Sequence, residues 1–386
     1  MPESKLYNIE RIVVRGTNWV GDAVMTVPAL RNLRRLFPDS HITLATRSLG
    51  QGVFAEADFL DDLLVHEGSG LRSVVHQVRE WRRRNFDLAV LLPNSIETAL
   101  VASLARVPLR IGYATDGRQR LLTHPLDLPE WRSSQHEVFY YLNIIARLEW
   151  LVNREQSFLN TQPDASLEVS ERRKVAALDL LRGQGITEKT DDRPLIALCP
   201  GSINSRAKRW PAERYAALAD RFIDECGADI LLIGSAAEAD VSLEVSGRMH
   251  NRPVMLTGKT ELAQLVAVLS FVDLLVTNDT GPAHIAASLR RPTLVIFGPT
   301  NPLTTRPFSP LAEIVRTAPD CAPCMLRDCP IDHRCMTAIT PDEVFERARV
   351  MLARRKTADE RPLTACSKTQ PLTEFNNKLE FIEQIK

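Results

Sequence analysis

Short apolar runs alternate with amphipathic segments along most of this chain. In the first half the runs are RIVVRG (11–16), HITLATR (41–47), DLAVLLP (87–93) and LRIGYA (109–114). Apolar residues at helical spacing separate the first two runs: Val24, Val27, Leu30, Leu33 and Phe37. Pro28 predicts that this helix is kinked or begins late. Such alternation is typical of a parallel sheet covered by helices on both faces.

The second half repeats this pattern. Its runs are LIALCPGS (195–202), DILLIGS (229–235), PVMLTG (253–258), DLLVTNDTG (273–281) and TLVIFGPT (293–300). A charged, Gly-bearing stretch without periodicity, 181–194, joins the halves. The pattern predicts an α/β protein with two Rossmann-like domains facing a cleft, at 1–185 and 186–355, followed by a loosely held tail at 356–386. Ligands of such sheets bind beyond the carboxyl ends of the strands.

Charge and apolarity exclude several classes of function. Lys plus Arg and Asp plus Glu are balanced at 48 each, so no overall field favours nucleic acid as a partner. The apolar runs are shorter than the roughly 18 residues of a spanning helix. The first residues, MPESKLYNIERIVV, contain no apolar signal region, so we expect a cytoplasmic protein.

Four of the seven cysteines are clustered near the end of the second half, at Cys321, Cys324, Cys329 and Cys335. Their C-x2-C-x4-C-x5-C spacing permits a tetrahedral zinc site, but the second pair is wider than the usual C-x2-C knuckle. A thiol-rich loop without metal is the alternative, and we predict no metal.

Two loops of the second half carry groups that attract anions. In PGSINSRAKRWP (200–211), a Gly-Ser turn leaves a strand and leads to Lys208, whose charge suits a phosphate. In NDTGPAHIAAS (278–288), Thr280 and Gly281 open a helix whose first amides face the same region. The structural alternative is a helix capped by Asp279 or Thr280. Together the loops favour a diphosphate site.

A similar turn in the first half, RGTNWVGDAVM (15–25), carries the carboxylate Asp22, which would repel a phosphate. With the diphosphate assigned to the other half, no phosphate needs to approach Asp22, and this turn is predicted to form the other half of a divided active site. We expect the helix amides to help keep Asp22 ionised. The alternative is an acid that only caps its helix.

These motifs resemble a known family. RGTNWVGDAVMTVPAL, PGSINSRAKRWP and NDTGPAHIAAS, in this order, resemble the ADP-heptose:lipopolysaccharide heptosyltransferases. NWVGDAVM and PLRIGYATDGRQRLLTHPL (108–126) are most similar to the heptosyltransferase II type. The resemblance extends to about residue 350.

The resemblance implies the GT-B architecture, with the acceptor in the first domain and ADP-L-glycero-D-manno-heptose in the second. It implies inverting transfer of heptose to the first heptose of the inner core on Kdo-lipid A, and peripheral contact with the inner face of the cytoplasmic membrane. Asp22 corresponds to the catalytic base, Lys208 to the lysine at the diphosphate, and Asp279 to the acid at the donor heptose.

Further positions follow from the same resemblance. Thr280, Gly281 and His284 match the turn around the donor's sugar and phosphates, although His284 also fits a packed core histidine. Glu238 and Thr260 match the nucleoside and adenine positions. Where some members have threonines, this chain has approximate substitutes, namely Ser202, Asn204 and Ser205. Arg110, Arg118 and Arg120 fit either contacts with acidic groups of the acceptor or ordinary surface charge.

The residues also fit this chemistry on physical grounds. Displacement of a diphosphate by a sugar hydroxyl needs a base and a positive charge, which Asp22 and Lys208 supply. Because the sequence has no Asp-x-Asp element, we expect a metal-independent mechanism without a cofactor.

Other functions remain open. One is heptosyltransferase activity of type I or III, or on another acceptor, and another is a non-catalytic module that binds a nucleotide sugar. A Rossmann dehydrogenase is disfavoured, because the first turn lacks G-x-G-x-x-G.

Overall fold

The computed structural model describes residues 9–186 and 193–359. The strands are β1 (Arg11–Arg15), β2 (His41–Thr46), β3 (Asp62–Val65), β4 (Leu88–Leu91), β5 (Leu109–Tyr113), β6 (His124–Leu126), β7 (Leu195–Cys199), β8 (Asp229–Leu232), β9 (Val254–Met255), β10 (Leu274–Asn278), β11 (Thr293–Phe297) and β12 (Ala312–Arg316). Each of the nine apolar runs contains a strand, as predicted.

The helices connect these strands and cover both sheets. They are α1 (Val20–Met25), α2 (Val27–Leu36), α3 (Ser48–Phe54), α4 (Leu71–Arg84), α5 (Ile96–Leu104), α6 (Glu137–Asn153), α7 (Glu171–Gly183), α8 (Ala212–Cys226), α9 (Ala239–Arg248), α10 (Leu262–Leu269), α11 (Gly281–Ser288), α12 (Pro302–Thr305), α13 (Arg334–Thr337) and α14 (Pro341–Asp359). The predicted interruption at Pro28 is confirmed, because α1 ends at Met25 and Pro28 lies in the first turn of α2.

Both sheets of the described chain are parallel and share one topology. Their strand orders are β3-β2-β1-β4-β5-β6 and β12-β11-β10-β7-β8-β9. Counted within its own half, each sheet reads 3-2-1-4-5-6, the doubly wound order. The order reverses between β1 and β4 and between β7 and β10, so the loops after these strands border the ligand-binding crevices. The prediction of two Rossmann-like units is confirmed.

The two halves are packed against each other. One continuous apolar core contains residues of both, including the buried Val24 of α1 and Ile285 of α11. Helix α7 precedes the predicted boundary but packs against α10 of the second half, and Arg173 donates a hydrogen bond to the Ala263 carbonyl. The domain limits at 185 and 186 therefore stay a prediction.

The end of the second half is helical further than expected. Helix α14 continues to Asp359, four residues into the predicted tail. The rest of that tail, 360–386, lies outside the described residues. None of the helices in 9–186 and 193–359 combines the length and apolarity needed to cross a bilayer.

Candidate active site

Helices α1 and α11 meet where the two halves join, and glycines allow their close approach. A Cβ placed on Gly21 would lie 2.9 Å from Cδ2 of His284. A Cβ placed on Gly281 would lie 2.8 Å from the Cβ of Val20. Larger residues at either glycine would push the helices apart. The turns after β1 and β10, each beside a crevice, are thereby brought together.

Asp22 lies in the first turn of α1 and is half-buried. Helix α1 begins after Trp19, and no side chain caps it. Asp22 therefore does not act as a cap of this helix. Burial raises the pKa of Asp22 to about 6, with a further contribution from Glu137. We expected the helix amides to help keep Asp22 ionised, but burial is the largest influence on its pKa and acts in the opposite direction.

Charges from both halves surround Asp22. After burial and Glu137, its pKa responds to Arg132 and Lys208, which lower it, and to Asp279, which raises it. Lys208 and Asp279 belong to the second half. The carboxylate on α1 therefore shares one electrostatic environment with the cation and the acid across the cleft.

Arg132 and Glu137 form an ion pair at the start of α6. The guanidinium of Arg132 lies 4.0 Å from the ring centroid of Tyr140, and Asn94 donates a 2.8 Å hydrogen bond to the Tyr140 hydroxyl. Helix α6 packs against α1, which brings this pair to Asp22. Sequence reasoning missed these residues, because their place beside Asp22 depends on long-range packing.

Lys208 is held by Asp279. Its Nζ lies 2.8 Å from Oδ2 of Asp279 and donates to the Asp279 carbonyl at 3.2 Å. Thr300 donates a 2.7 Å hydrogen bond to the same Oδ2. Asp279 is 5% exposed, whereas the Lys208 side chain is 25% exposed. The lysine therefore keeps one side open to the cleft while its partner acid is enclosed.

The turn that opens α11 has the predicted form in part. Thr280 occupies the N-cap position, but its side chain makes no capping bond, and Pro282 lies in the first turn. His284 is buried, with Nδ1 unpartnered in the described chain. Burial lowers its pKa to about 4, so the imidazole is neutral. The amide end of α11 faces α1 without a side-chain cap.

The loop after β7 contains the three polar residues predicted to bind the phosphates, and they differ in burial and hydrogen bonding. The Ser205 hydroxyl donates to the carbonyls of Leu326 and Arg327, at 3.2 Å each. Asn204 is exposed. Ser202 is buried, and its carbonyl accepts hydrogen bonds from Arg209. Ser205 therefore holds the loop in place, and Asn204 keeps a side chain available to a ligand.

Glu238 closes the turn after β8. Its Oε2 accepts hydrogen bonds from the Ser235 amide and hydroxyl, at 2.8 Å each. A Cβ on Gly201 would lie 2.6 Å from Cδ of Glu238, so the carboxylate covers the Gly201 turn. Thr260 is half-buried in the loop before α10. Their nucleoside roles stay predictions.

The three arginines assigned to the acceptor differ in exposure. Arg118 is fully buried and donates to the carbonyls of Tyr113, Pro93 and Ser95. Arg110 donates to the carbonyls of Leu121 and Val107. Arg120 is exposed. The first two hold backbone together, and we assign them no acceptor contact.

The cysteine loop packs on the loop that carries Lys208. The Ala207 amide donates to the Arg327 carbonyl at 2.9 Å, and the His333 ring contacts the Ala207 carbonyl at 2.6 Å. Cys321, Cys324, Cys329 and Cys335 are free thiols. Within the described residues, no group of three or more His, Cys, Asp or Glu is arranged to hold a metal. The contacts give this loop a supporting position behind Lys208.

Comparisons with known proteins agree with this geometry. Residues 74–334 match the model of glycosyltransferase family 9 (heptosyltransferase). Lipopolysaccharide heptosyltransferase 2 of Escherichia coli is 29% identical over 356 residues, covering 89% of this chain and 98% of that protein.

Two solved structures share the architecture. The ADP-heptose lipopolysaccharide heptosyltransferase II of Escherichia coli has a TM-score of 0.74 at 26% identity, covering 90% of this chain and 99% of that one. A family 9 glycosyl transferase of Veillonella parvula has a TM-score of 0.76 at 25% identity, covering 89% and 97%. The chain has the GT-B architecture, belongs to glycosyltransferase family 9, the heptosyltransferase family, and is a glycosyltransferase.

Proposed function

We propose that this enzyme is an inverting heptosyltransferase of type II. It transfers L-glycero-D-manno-heptose from ADP-heptose to the first heptose of the inner core on Kdo-lipid A. The observation that carries the proposal is that the charges of Lys208 and Asp279, across the cleft, both act on the pKa of Asp22. The similarity to heptosyltransferase 2 proteins over nearly their whole length supports this choice of substrates.

The reaction is a single displacement. The acceptor hydroxyl oxygen attacks the anomeric carbon of the donor heptose, and the bond from that carbon to the phosphate oxygen breaks. Asp22 takes the hydroxyl proton as the bond forms. The electron pair leaves with ADP, whose phosphate charge is stabilised by Lys208 and the amide end of α11. Attack from the side opposite the leaving group inverts the anomeric centre.

The ion pair of Lys208 and Asp279 gives the donor site its selectivity. A diphosphate offers Lys208 a second anionic partner on its open side, and Asp279 is then available to a hydroxyl of the donor heptose. Thr280, Gly281 and His284 border this sugar, with Ser202 and Asn204 near the phosphates and Ser205 as a support. Glu238 and Thr260 border the nucleoside.

The acceptor places the enzyme at a membrane. Because Kdo-lipid A is anchored, we propose a cytoplasmic protein that contacts the inner face of the cytoplasmic membrane peripherally. Because Lys208 and the amide end of α11 supply positive charge for the leaving phosphate, we propose that transfer needs no metal and continues in the presence of a metal chelator.

Acceptors that bear zero, one or two heptoses test this function with ADP-heptose as donor. Only the acceptor with one heptose is expected to gain a second. Transfer to the unheptosylated acceptor would reassign the enzyme to type I. Binding of ADP-heptose without transfer to any acceptor would support the non-catalytic module instead.

A further inference from the structure

Three polar side chains lie in one row beyond the carboxyl edge of the first sheet. Thr17, Arg47 and His66 follow the adjacent strands β1, β2 and β3. The strand register, continued by the 2.9 Å bond from the His66 amide to the Thr46 carbonyl, places them at one level. This edge borders the first crevice, and the turn that contains Thr17 leads directly into α1 and Asp22.

Buried polar atoms in this row lack well-formed hydrogen bonds. Within the described residues, the Thr17 hydroxyl, Nε of Arg47 and both ring nitrogens of His66 are buried without a well-formed hydrogen bond. Each such atom costs about 1–3 kcal/mol when left unpaired. Native proteins rarely leave several such atoms together unless a water, an ion or a ligand completes them. The row therefore has the character of an incomplete binding site.

The charge at this edge is positive. Arg15, 3% exposed, lies at the end of β1 and donates to the carbonyls of Gly16 and Ala45. Burial and the nearby Arg47 lower the pKa of Arg15 to about 10, while Glu97 opposes this shift. The two guanidinium groups thus lie close enough for each to repel the other.

The same two arginines act on the pKa of His66. Burial, Arg15 and Arg47 lower its pKa to about 4, and the Leu64 carbonyl has the smallest, opposite influence. The ring is therefore neutral at physiological pH, with one nitrogen able to donate a hydrogen bond. An anion would accept that bond and reduce the repulsion between the arginines.

The occupant is an oxyanion that enters from solvent. Arg47 is half-buried and the next residue, Ser48, is exposed, so the row reaches the protein surface at the start of α3, where movement of the Arg47 side chain would admit an anion. A hydroxyl, a guanidinium and an imidazole N–H together suit the oxygens of a carboxylate or a phosphate. A neutral sugar would leave the positive charge uncompensated.

We propose that Thr17, Arg47 and His66 form an oxyanion subsite that holds an acidic group of the acceptor and directs the accepting hydroxyl towards Asp22. This inference rests on the proposed function, because it concerns the acceptor of that reaction. It requires the acceptor to carry an acidic group close to the sugar that reacts. The group is a carboxylate or a phosphate, which share the chemistry of this subsite.

Arg47→Gln tests the subsite, with Arg83→Gln as the matched control, because the Arg83 side chain on α4 is 70% exposed. We expect Arg47→Gln to raise the KM for the acceptor at least 10-fold and to leave ADP-heptose affinity unchanged. The melting temperature should stay constant or rise, because the repulsion from Arg15 is removed. A merely structural arginine would lower it.

A second variant, Thr17→Val, removes one donor with little change in volume and is expected to raise the same KM. Two altered acceptors, one with its carboxyl group reduced and one without phosphate, show whether the subsite holds a carboxylate or a phosphate. If the wild type and Arg47→Gln have the same KM for one of these altered acceptors, that acceptor lacks the group that the subsite holds. If neither substitution changes the KM for the intact acceptor, the subsite is wrong.

Thermal stabilisation by inorganic phosphate, measured without any sugar substrate, separates this inference from the proposed function. Phosphate is expected to stabilise the wild type more than Arg47→Gln, whether or not heptose is transferred. If phosphate stabilises the wild type more than Arg47→Gln but no heptose is transferred, only the proposed function is overturned. Normal transfer with no difference in stabilisation or KM would overturn only the subsite.

Discussion

The Nζ of Lys208 lies 2.8 Å from Oδ2 of Asp279, and Asp279 is almost fully enclosed. The pair comes from two loops that leave the neighbouring strands β7 and β10. The lysine is thereby held by a buried carboxylate at the crevice of the second sheet. Such fixing lowers the cost of ordering a long side chain when a diphosphate binds.

Lys208→Ala is expected to weaken ADP-heptose binding by about 10- to 100-fold, the loss of a charge-assisted hydrogen bond of roughly 1.5–3 kcal/mol. Calorimetric titration measures the dissociation constant. Lys174→Ala on α7 makes the same change in charge and is the control, because Lys174 pairs with Glu171 one turn away on the same helix. An unchanged dissociation constant in Lys208→Ala would refute the diphosphate role.

Asp22→Asn is expected to reduce kcat by about 10²- to 10⁴-fold, the usual range for loss of a general base. The amide keeps the size of the side chain but cannot accept the hydroxyl proton. ADP-heptose affinity should remain within a few-fold, because Lys208 and the α11 turn are untouched. Single-turnover rates and titration measure both quantities, and full turnover in this variant would exclude Asp22 as the base.

The raised pKa of Asp22 predicts a pH dependence of both activity and stability. Since the base must be ionised, kcat/KM should fall about tenfold per pH unit below about 6. The carboxyl also binds its proton more tightly in the folded protein than at its ordinary value of 3.8. Its contribution to the unfolding free energy is therefore fully present below about pH 4 and is lost as pH rises through about 6.

Asp22→Asn isolates this contribution to stability. The amide does not titrate, so the variant should lack a fall of about 1–3 kcal/mol between pH 4 and 7. Urea unfolding of both proteins across this range measures the difference. Parallel stability curves would mean that the folded protein leaves the pKa of Asp22 at its ordinary value.

The fold was predictable for every inner strand of the two sheets and for one edge strand, β9. The three strands that the apolar pattern missed, β3, β6 and β12, all lie at sheet edges. An edge strand has one neighbour and more contact with solvent, so its sequence needs no continuous apolar run. β6, with the sequence HPL, even contains a proline, which edge strands tolerate.

The site was predictable where a residue follows a strand in a glycine-bearing turn. Asp22, Lys208 and Asp279 follow such strands, and the structure brings them into one electrostatic environment. The ion pair of Arg132 and Glu137 was not predictable, because it reaches Asp22 through the packing of α6 on α1. A sequence also cannot separate the buried Arg118 from the exposed Arg120, two residues away.

Gly21→Ala tests whether the close contact of α1 and α11 maintains the divided site. Because Gly21 has helical backbone geometry within α1, alanine causes no backbone strain, and the effect comes from the contact with the His284 ring. We expect a loss of about 1–3 kcal/mol in unfolding free energy, as for other overpacked contacts, together with a lower kcat. In α9, Gly247 has open space where a Cβ would lie, so Gly247→Ala should gain about 0.5 kcal/mol. The double variant Gly21→Ala/His284→Ala should lose less stability than the sum of its single variants, and strict additivity in urea unfolding would show that the two residues do not meet.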